Sequence, residues 1–315
     1  MDAGRCESTH QGTVGTLSRA ARVKVHADGS SEVYCSIMNR LILPGLVALI
    51  FSHTLLAQHV ESASEWRELA KGIALARFPL QDAKPHEFVI VRVDPKVARL
   101  QLLAANDKRH AALTADEWAK QHDLNVVINA GMFELDHVTH TGLMKSQGGE
   151  VSGKLNNLYS SFAMFAPMNG KDPVFRIFDA DTENDMAGLK ETAFPGYQCV
   201  LQNLRLIKRP GENRWKPQPK AWSEAALGED DQGRALLIFC GAGLAMFDFN
   251  ERLLKLPIGV VAAQHLEGGP EASLHIRCGG FELKCMGSYE TGFNENYDNK
   301  EYWPIPNVIG VKANP

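Results

Sequence analysis

Short apolar runs rich in Val, Ile, Leu, Ala and Phe recur along the chain. They are Phe88–Val93, Leu100–Leu103, Val126–Ile128, Phe162–Phe165, Val174–Phe178, Ala235–Phe239, Val260–Ala263 and Val308–Val311. Their length and their polar or glycine boundaries predict strands. Helical patterns are fewer. Glu65–Ala76 is one. Thr114–His122 is another, with Thr114 placed to cap it and Asp116 and Glu117 in the first turn. Leu244–Leu256 is a third, ended by Pro257 and Gly259. A few helices among many strands predict an α+β domain, mixed, with largely antiparallel sheets and flanking helices. Lys208 to Asp231 is rich in proline, glycine and charge, and reads as a long surface loop.

The left end has a different pattern. Residues 1–37 show no sustained apolar period. Met38-Asn39-Arg40 then precedes the mostly apolar run Leu41–Leu56, and Ala57 closes it. A short positive region, an apolar run and a small residue predict a secretory signal peptide over 38–57, with Met38 as the expected initiator and 1–37 as a spurious or disordered upstream segment. An uncleaved N-terminal anchor is the alternative. The expected organisation is a helical lead-in over 58–84 and one domain over 85–315, secreted or periplasmic, with membrane contact only through the signal segment.

Composition narrows the partners. A net charge of −4 without a basic cluster argues against nucleic acid. Export would permit disulfides. Cys278 and Cys285 bracket Gly279–Lys284, a hairpin that a disulfide could staple, and four separate buried thiols (with Cys199 and Cys240) are the equal alternative. No CxxC pair is present after Ala57, so no structural zinc is expected, and nothing calls for a cofactor.

The candidate chemistry gathers at strand ends. Leu266-Glu267-Gly268-Gly269-Pro270-Glu271-Ala272-Ser273-Leu274 follows the apolar run at 260–263. A carboxylate at the end of a core strand is partly desolvated, which raises its pKa toward the range useful in acid–base catalysis. The glycines after it let backbone approach a ligand closely. Asn125–Ile128 likewise runs into Asn129-Ala130-Gly131-Met132-Phe133, and the two strand ends suggest one shared cleft. Asn129 is a candidate to bind a sugar hydroxyl or phosphoryl oxygen, and a local turn would satisfy it equally well. His137 and His140, three apart with acids nearby, raise a metal reading against that of a solvated loop. In Cys199–Ile207, Gln202 and Arg205 interrupt an apolar segment. Arg205 is the anion-binding candidate, with an ion pair at a sheet edge as the alternative. Trp215 and Trp222 offer faces for a sugar ring or for ordinary packing.

Taken in order, Asn129-Ala-Gly-Met-Phe, Gly142-Leu143, Phe162–Phe165, Gln202-Asn-Leu-Arg, Ala226-Leu-Gly before Ala235–Phe239, and Leu266-Glu-Gly-Gly-Pro-Glu-Ala-Ser-Leu resemble the phosphodiester glycosidase family over roughly residues 85–312. At the last of these sites Glu267 stands where many members have Asp, and Pro270 where they have a third Gly. The resemblance implies hydrolysis of a sugar-1-phosphodiester. Glu267 would be general base or charge stabiliser. Asn129 and Gln202 would position sugar or phosphate, and Arg205 would neutralise phosphate charge. Gly131, Phe133, Gly142, Gly268, Gly269 and Ser273 would form the substrate contacts. Two rival readings remain open: a non-catalytic protein binding envelope glycan or peptidoglycan through the same cleft, and a metal-dependent phosphodiesterase using His137 and His140.

Overall fold

The computed structural model describes residues 66–105, 112–149, 151–181 and 188–314, all within the compact unit Gln58–Pro315. The upstream segment 1–37 and the signal peptide expected over 38–57 lie outside the described residues.

Three antiparallel sheets dominate. In the largest, β1 (Arg67–Ala70), β2 (Ile73–Pro79) and β3 (Glu87–Val93) lead to β14 (Ala235–Leu244), β13 (Trp222–Asp230), β15 (Val260–Gly268), β11 (Arg205–Lys208) and β12 (Glu212–Asn213), in that spatial order. The second runs β7 (Val151–Ser152), β6 (Met144–Lys145), β10 (Tyr197–Asn203), β8 (Ser161–Pro167) and β9 (Phe175–Asp179). The third runs β17 (Phe281–Met286), β16 (Ser273–Cys278), β5 (Val126–Asn129), β18 (Asn307–Ala313) and β4 (Ala98–Ala104). One apolar core takes side chains from all three, including Val91 and Leu237, Phe165 and Leu201, and Ile128, Leu274 and Ile309. The other face of the largest sheet packs Phe88, Ile90 and Ile238 against Phe249 and Leu253 of α2 (Met246–Lys255). Helix α1 (Ala115–His122) lays Trp118 on Val127 and Val308 of the third sheet. Its start is the one expected: the Thr114 backbone N–H donates to Glu117 at 2.9 Å in a capping box.

The architecture is therefore mostly β, with less helix than an α+β reading implies. Three expectations change. In the described part of the helix expected over 65–76, and of the helical lead-in expected over 58–84, stand β1 and β2, joined at Lys71–Gly72; residues 58–65 lie outside the described residues. Ile73 and Leu75 fill the shared core while Ala76 and Phe78 join the core on the other face of the sheet, so the two-residue period prevails over the helical one. The surface loop expected from Lys208 to Asp231 holds β12 and the whole of β13, a central and buried strand. Buried charge hid it: Glu229 accepts hydrogen bonds from the Ile177 N–H and the Arg209 guanidinium, and Asp230 from Arg234. Finally, Cys278 and Cys285 share the β16–β17 hairpin but not a register. Cys278 faces Phe281, while Cys285 faces Leu274, four positions away, so the staple cannot form. The four cysteines among the described residues, Cys199, Cys240, Cys278 and Cys285, are buried free thiols.

Candidate active site

Two crossings from sheet to sheet make the site. At Leu204 the chain leaves β10 for β11, passing from the second sheet to the largest. At Gly269–Glu271, a single 3₁₀ turn, it leaves β15 for β16, passing from the largest sheet to the third. The exit of β5 at Asn129 meets the second crossing: the Asn129 amide donates to the Glu271 carbonyl at 2.9 Å, and its oxygen accepts the Ser273 N–H at 2.6 Å. Between these crossings lies a cleft of about 420 Å³. Its walls are Met132, Phe133 and Thr141 from the segment after β5, Leu204 and Trp215, Trp222 at the head of β13, and Met246 at the start of α2. His265, Glu267 and Gly268 of β15, Glu271 of the turn, and Glu290 beyond β17 complete it.

Strand β15 continues through Glu267 rather than stopping before it. A register shift against β13 between Ala225 and Ala226 lies opposite Leu266, which turns into the shared core, and His265 and Glu267 are left lining the cleft. Burial raises the Glu267 carboxyl to about 8. The neighbouring carboxylates of Glu271 and Glu224 push the same way, against His265 and the Gly268 N–H, which donates to Glu267 at 3.1 Å. Glu271 is raised too, chiefly by burial and further by Glu290. Gly269 adopts a left-handed φ of 64°, and a Cβ there would lie 2.5 Å from Glu290 Oε2. The glycine thus lets the Glu290 carboxylate rest on the turn. Gly268 allows the same closeness to the Trp222 ring.

Behind these residues is a group that the sequence reading missed. Glu224 of β13 and His265 of β15 are 2% and 3% exposed, and His265 Nδ1 lies 2.6 Å from Glu224 Oε1. The Trp222 indole N–H donates to the other Glu224 oxygen at 2.7 Å. Burial acts to lower the His265 pKa, but the charge and hydrogen bond of Glu224, helped by Glu267 and Glu290, outweigh it and raise it. Glu224 lay inside the expected loop, which is why spacing alone did not pair it with His265.

Several expected contacts have other duties. Asn129 is 1% exposed and both ends of its amide are spent on backbone, so it positions the turn carrying Glu271 rather than facing a ligand. Ser273 is fully buried, its hydroxyl donating to the Glu271 carbonyl. Gln202 is fully buried as well. Its amide donates to the carbonyls of Asn156 and Tyr159 and accepts the N–H groups of Leu143 and Asn156, which braces the 143–159 segment. Gly142 packs on the Gln202 carbonyl, and Gly131 against His140 and Asn203. Arg205 is paired with Asp179 at 3.3 Å and with Asp181, the sheet-edge ion pair that was the alternative reading. His137 is exposed beside Phe133, while His140 is buried with Nε2 at 2.8 Å from the Gln202 carbonyl, so the two do not converge on a common point. Glu267, Phe133 and Gly268 do line the cleft, as do Trp215 and Trp222.

A sequence model of the phosphodiester glycosidase family matches residues 122–312, well over half the chain and every cleft residue named above. The chain belongs to the phosphodiester glycosidase family. Its fold is similar to that of two solved structures. The catalytic domain of zebrafish N-acetylglucosamine-1-phosphodiester alpha-N-acetylglucosaminidase, auto-inhibited by its pro-peptide, aligns with a TM-score of 0.55 at 15% identity, over 80% of this chain and 89% of that one. A hypothetical protein from Synechocystis aligns with a TM-score of 0.50 at 15% identity, over 80% of this chain and 64% of that one. At these identities the likeness is one of fold. No curated protein matches the sequence. Family membership thus rests on the sequence match, and the roles of individual residues rest on the geometry of the cleft.

Proposed function

We propose that the protein hydrolyses a sugar-1-phosphodiester, with Glu267 as the proton donor. The observation that carries this reading is the raised Glu267 carboxyl on the wall of a cleft that also holds two tryptophans. A carboxyl with a pKa of about 8 is mostly protonated at neutral pH, so it suits a general acid better than the base expected from its strand-end position. Water adds across the bond between the anomeric carbon and the bridging oxygen. That bond breaks, the bridging oxygen takes the Glu267 proton and leaves as a phosphomonoester, and the anomeric carbon gains hydroxyl. The proton released by water passes to the Glu290 carboxylate, which leaves Glu267 to be reprotonated from solvent. Glu271 lines the same cleft, and its carboxylate would stabilise positive charge at the sugar in the transition state. Trp215 and Trp222 supply faces for the pyranose ring. Their indole N–H groups are already bonded, to the Arg205 carbonyl and to Glu224, so the rings are held in place before a ligand arrives.

The test is release of phosphomonoester from a panel of chromogenic sugar phosphodiesters. Turnover by the wild-type protein and its loss in a folded Glu267→Gln variant are expected. Binding of glycans without turnover across the panel would favour the second reading, a glycan-binding envelope protein using the same tryptophans. The signal-peptide pattern in the sequence of residues 38–57 supports placing the activity outside the cytoplasm. N-terminal sequencing of the protein recovered from the periplasm or medium should begin just beyond Ala57.

A further inference from the structure

The cleft presents a problem of charge. Its substrate, on the reading above, is an anion, yet among the described residues its lining contains Glu267, Glu271 and Glu290 and neither lysine nor arginine. The arginine expected to grip phosphate, Arg205, is tied to Asp179 and Asp181. His265 is the remaining basic side chain in the lining. Its Nδ1 is taken by Glu224, so Nε2 is the nitrogen left for a ligand.

We propose that the Glu224–His265 dyad is the phosphate-recognition element, with His265 Nε2–H donating to a non-bridging oxygen of the phosphodiester and Glu224 as its positioning residue. This deepens the hydrolase reading and rests on it for the substrate class. The physical basis is the short, buried contact between the two side chains. While the pair holds its second proton, either as ionised Glu224 with imidazolium or as neutral Glu224 with neutral imidazole, Nε2 carries a hydrogen and the dyad presents a donor to the cleft; once that proton is lost, Nδ1–H stays on Glu224 and Nε2 is bare. The Trp222 indole on the second Glu224 oxygen fixes the carboxylate, and the carboxylate fixes the ring. A neutral or singly charged imidazole also suits a phosphodiester, which carries one negative charge, and leaves the anion less tightly held than an arginine fork would. The carboxyls bearing on His265 are Glu224 from β13, Glu267 of its own strand and Glu290 beyond β17. Glu271 lines the same cleft, and α2 contributes Met246.

The experiment uses dimethyl phosphate, whose charge is constant across the working range of pH, and the intact protein. Titration followed by ¹⁵N NMR of the histidine rings should move the His265 signals of the wild-type protein. His265→Gln should weaken dimethyl phosphate binding by about tenfold or more, the worth of one hydrogen bond to an anion, while a neutral methyl glycoside binds as before. In a Glu267→Gln background, which removes one titrating neighbour and leaves Glu271 and Glu290 common to the variants compared, affinity should still fall as pH rises and His265 loses its proton. Adding Glu224→Gln should move that fall to lower pH, because the neighbouring carboxylate no longer holds the proton on the ring. A structural role for Glu224 alone would not move this profile. Should Glu224→Gln fail to fold, the wild-type NMR titration still decides. Unmoved His265 signals, or unchanged dimethyl phosphate affinity in a folded His265→Gln protein, would overturn the dyad. Binding at His265 with no sugar phosphodiester cleaved would leave the dyad standing and sink the hydrolase reading. Cleavage with an unchanged KM in His265→Gln would do the reverse.

Discussion

Glu224 Oε1 and His265 Nδ1 meet at 2.6 Å on adjacent strands, both side chains almost wholly out of water. Removing one partner strands the other in a medium that solvates it poorly. His265→Ala should therefore cost about 3–5 kcal/mol of stability, whereas the near-isosteric Glu224→Gln, which keeps a hydrogen-bonding oxygen, should cost markedly less. Urea denaturation at neutral pH measures both. A Glu224→Gln cost as large as that of His265→Ala would mean that the carboxylate charge, and not merely a hydrogen-bonding oxygen, holds the pair.

Glu267 sets a pH signature with two readouts. If it donates a proton, kcat/KM should fall as pH rises through about 8, where the carboxyl ionises. Glu267→Gln should lower turnover by roughly 10²–10⁴-fold. Stability follows the same titration. The native state holds this proton above the ordinary carboxylate pKa, where the unfolded chain has lost it, so the native state binds more protons and stability falls with rising pH. The window runs from the ordinary pKa of 4.5 to about 8. Calorimetric melts across it should show a decline in Tm for wild type that is shallower in Glu267→Gln.

The tryptophan faces predict a split in kinetic constants. Trp215→Ala should raise KM roughly tenfold, about 1.4 kcal/mol, with a smaller change in kcat, and Trp215→Phe should recover most of the loss. Steady-state kinetics on the best chromogenic phosphodiester would show it. A loss confined to kcat would place Trp215 outside the sugar site.

Gln202 and Arg205 should behave as structural residues. Gln202→Leu abandons four backbone hydrogen bonds made by a fully buried amide and should cost about 3–4 kcal/mol in chemical denaturation. Arg205→Gln should leave KM for the phosphodiester unchanged, since its guanidinium is occupied by Asp179 and Asp181. A KM increase specific to Arg205→Gln would return that residue to phosphate recognition.

The cysteines offer a chemical check. Burial pushes the thiols of Cys199, Cys240 and Cys285 up to about 12, and Cys278 is raised as well. None of these four should react with a thiol reagent in the native protein, and all four should do so after unfolding without reductant. Peptide mass mapping of the label distinguishes this from a Cys278–Cys285 bridge.

Much of this was legible in the chain. Apolar runs bounded by glycine and polar residues marked most long strands, Thr114 as a cap with acids in the first turn marked α1, and the stop at Pro257–Gly259 marked the end of α2. Glu267 and its glycines were legible because a carboxylate beside a core strand conflicts with burial unless it is used. The Glu65–Ala76 region was not, because small residues around Gly72 satisfy either period until a neighbouring strand is present. Nor was β13, since Glu224, Glu229 and Asp230 look like surface until their partners arrive from β15, Arg209 and Arg234.

By itself the sequence determined the strand-rich class, the family, and the two strand ends, at Asn129 and Glu267, that meet at the cleft. Those are properties of local pattern and composition. Tertiary structure alone decided which polar groups face the cleft. Asn129, Gln202 and Arg205 turned to backbone and to carboxylates of the scaffold, while Glu224, far from His265 in sequence, came to lie against it. The physical reason is that a buried polar side chain must bond to whatever its neighbours offer, and those neighbours are set by strand register and sheet crossings, which no local stretch of sequence contains.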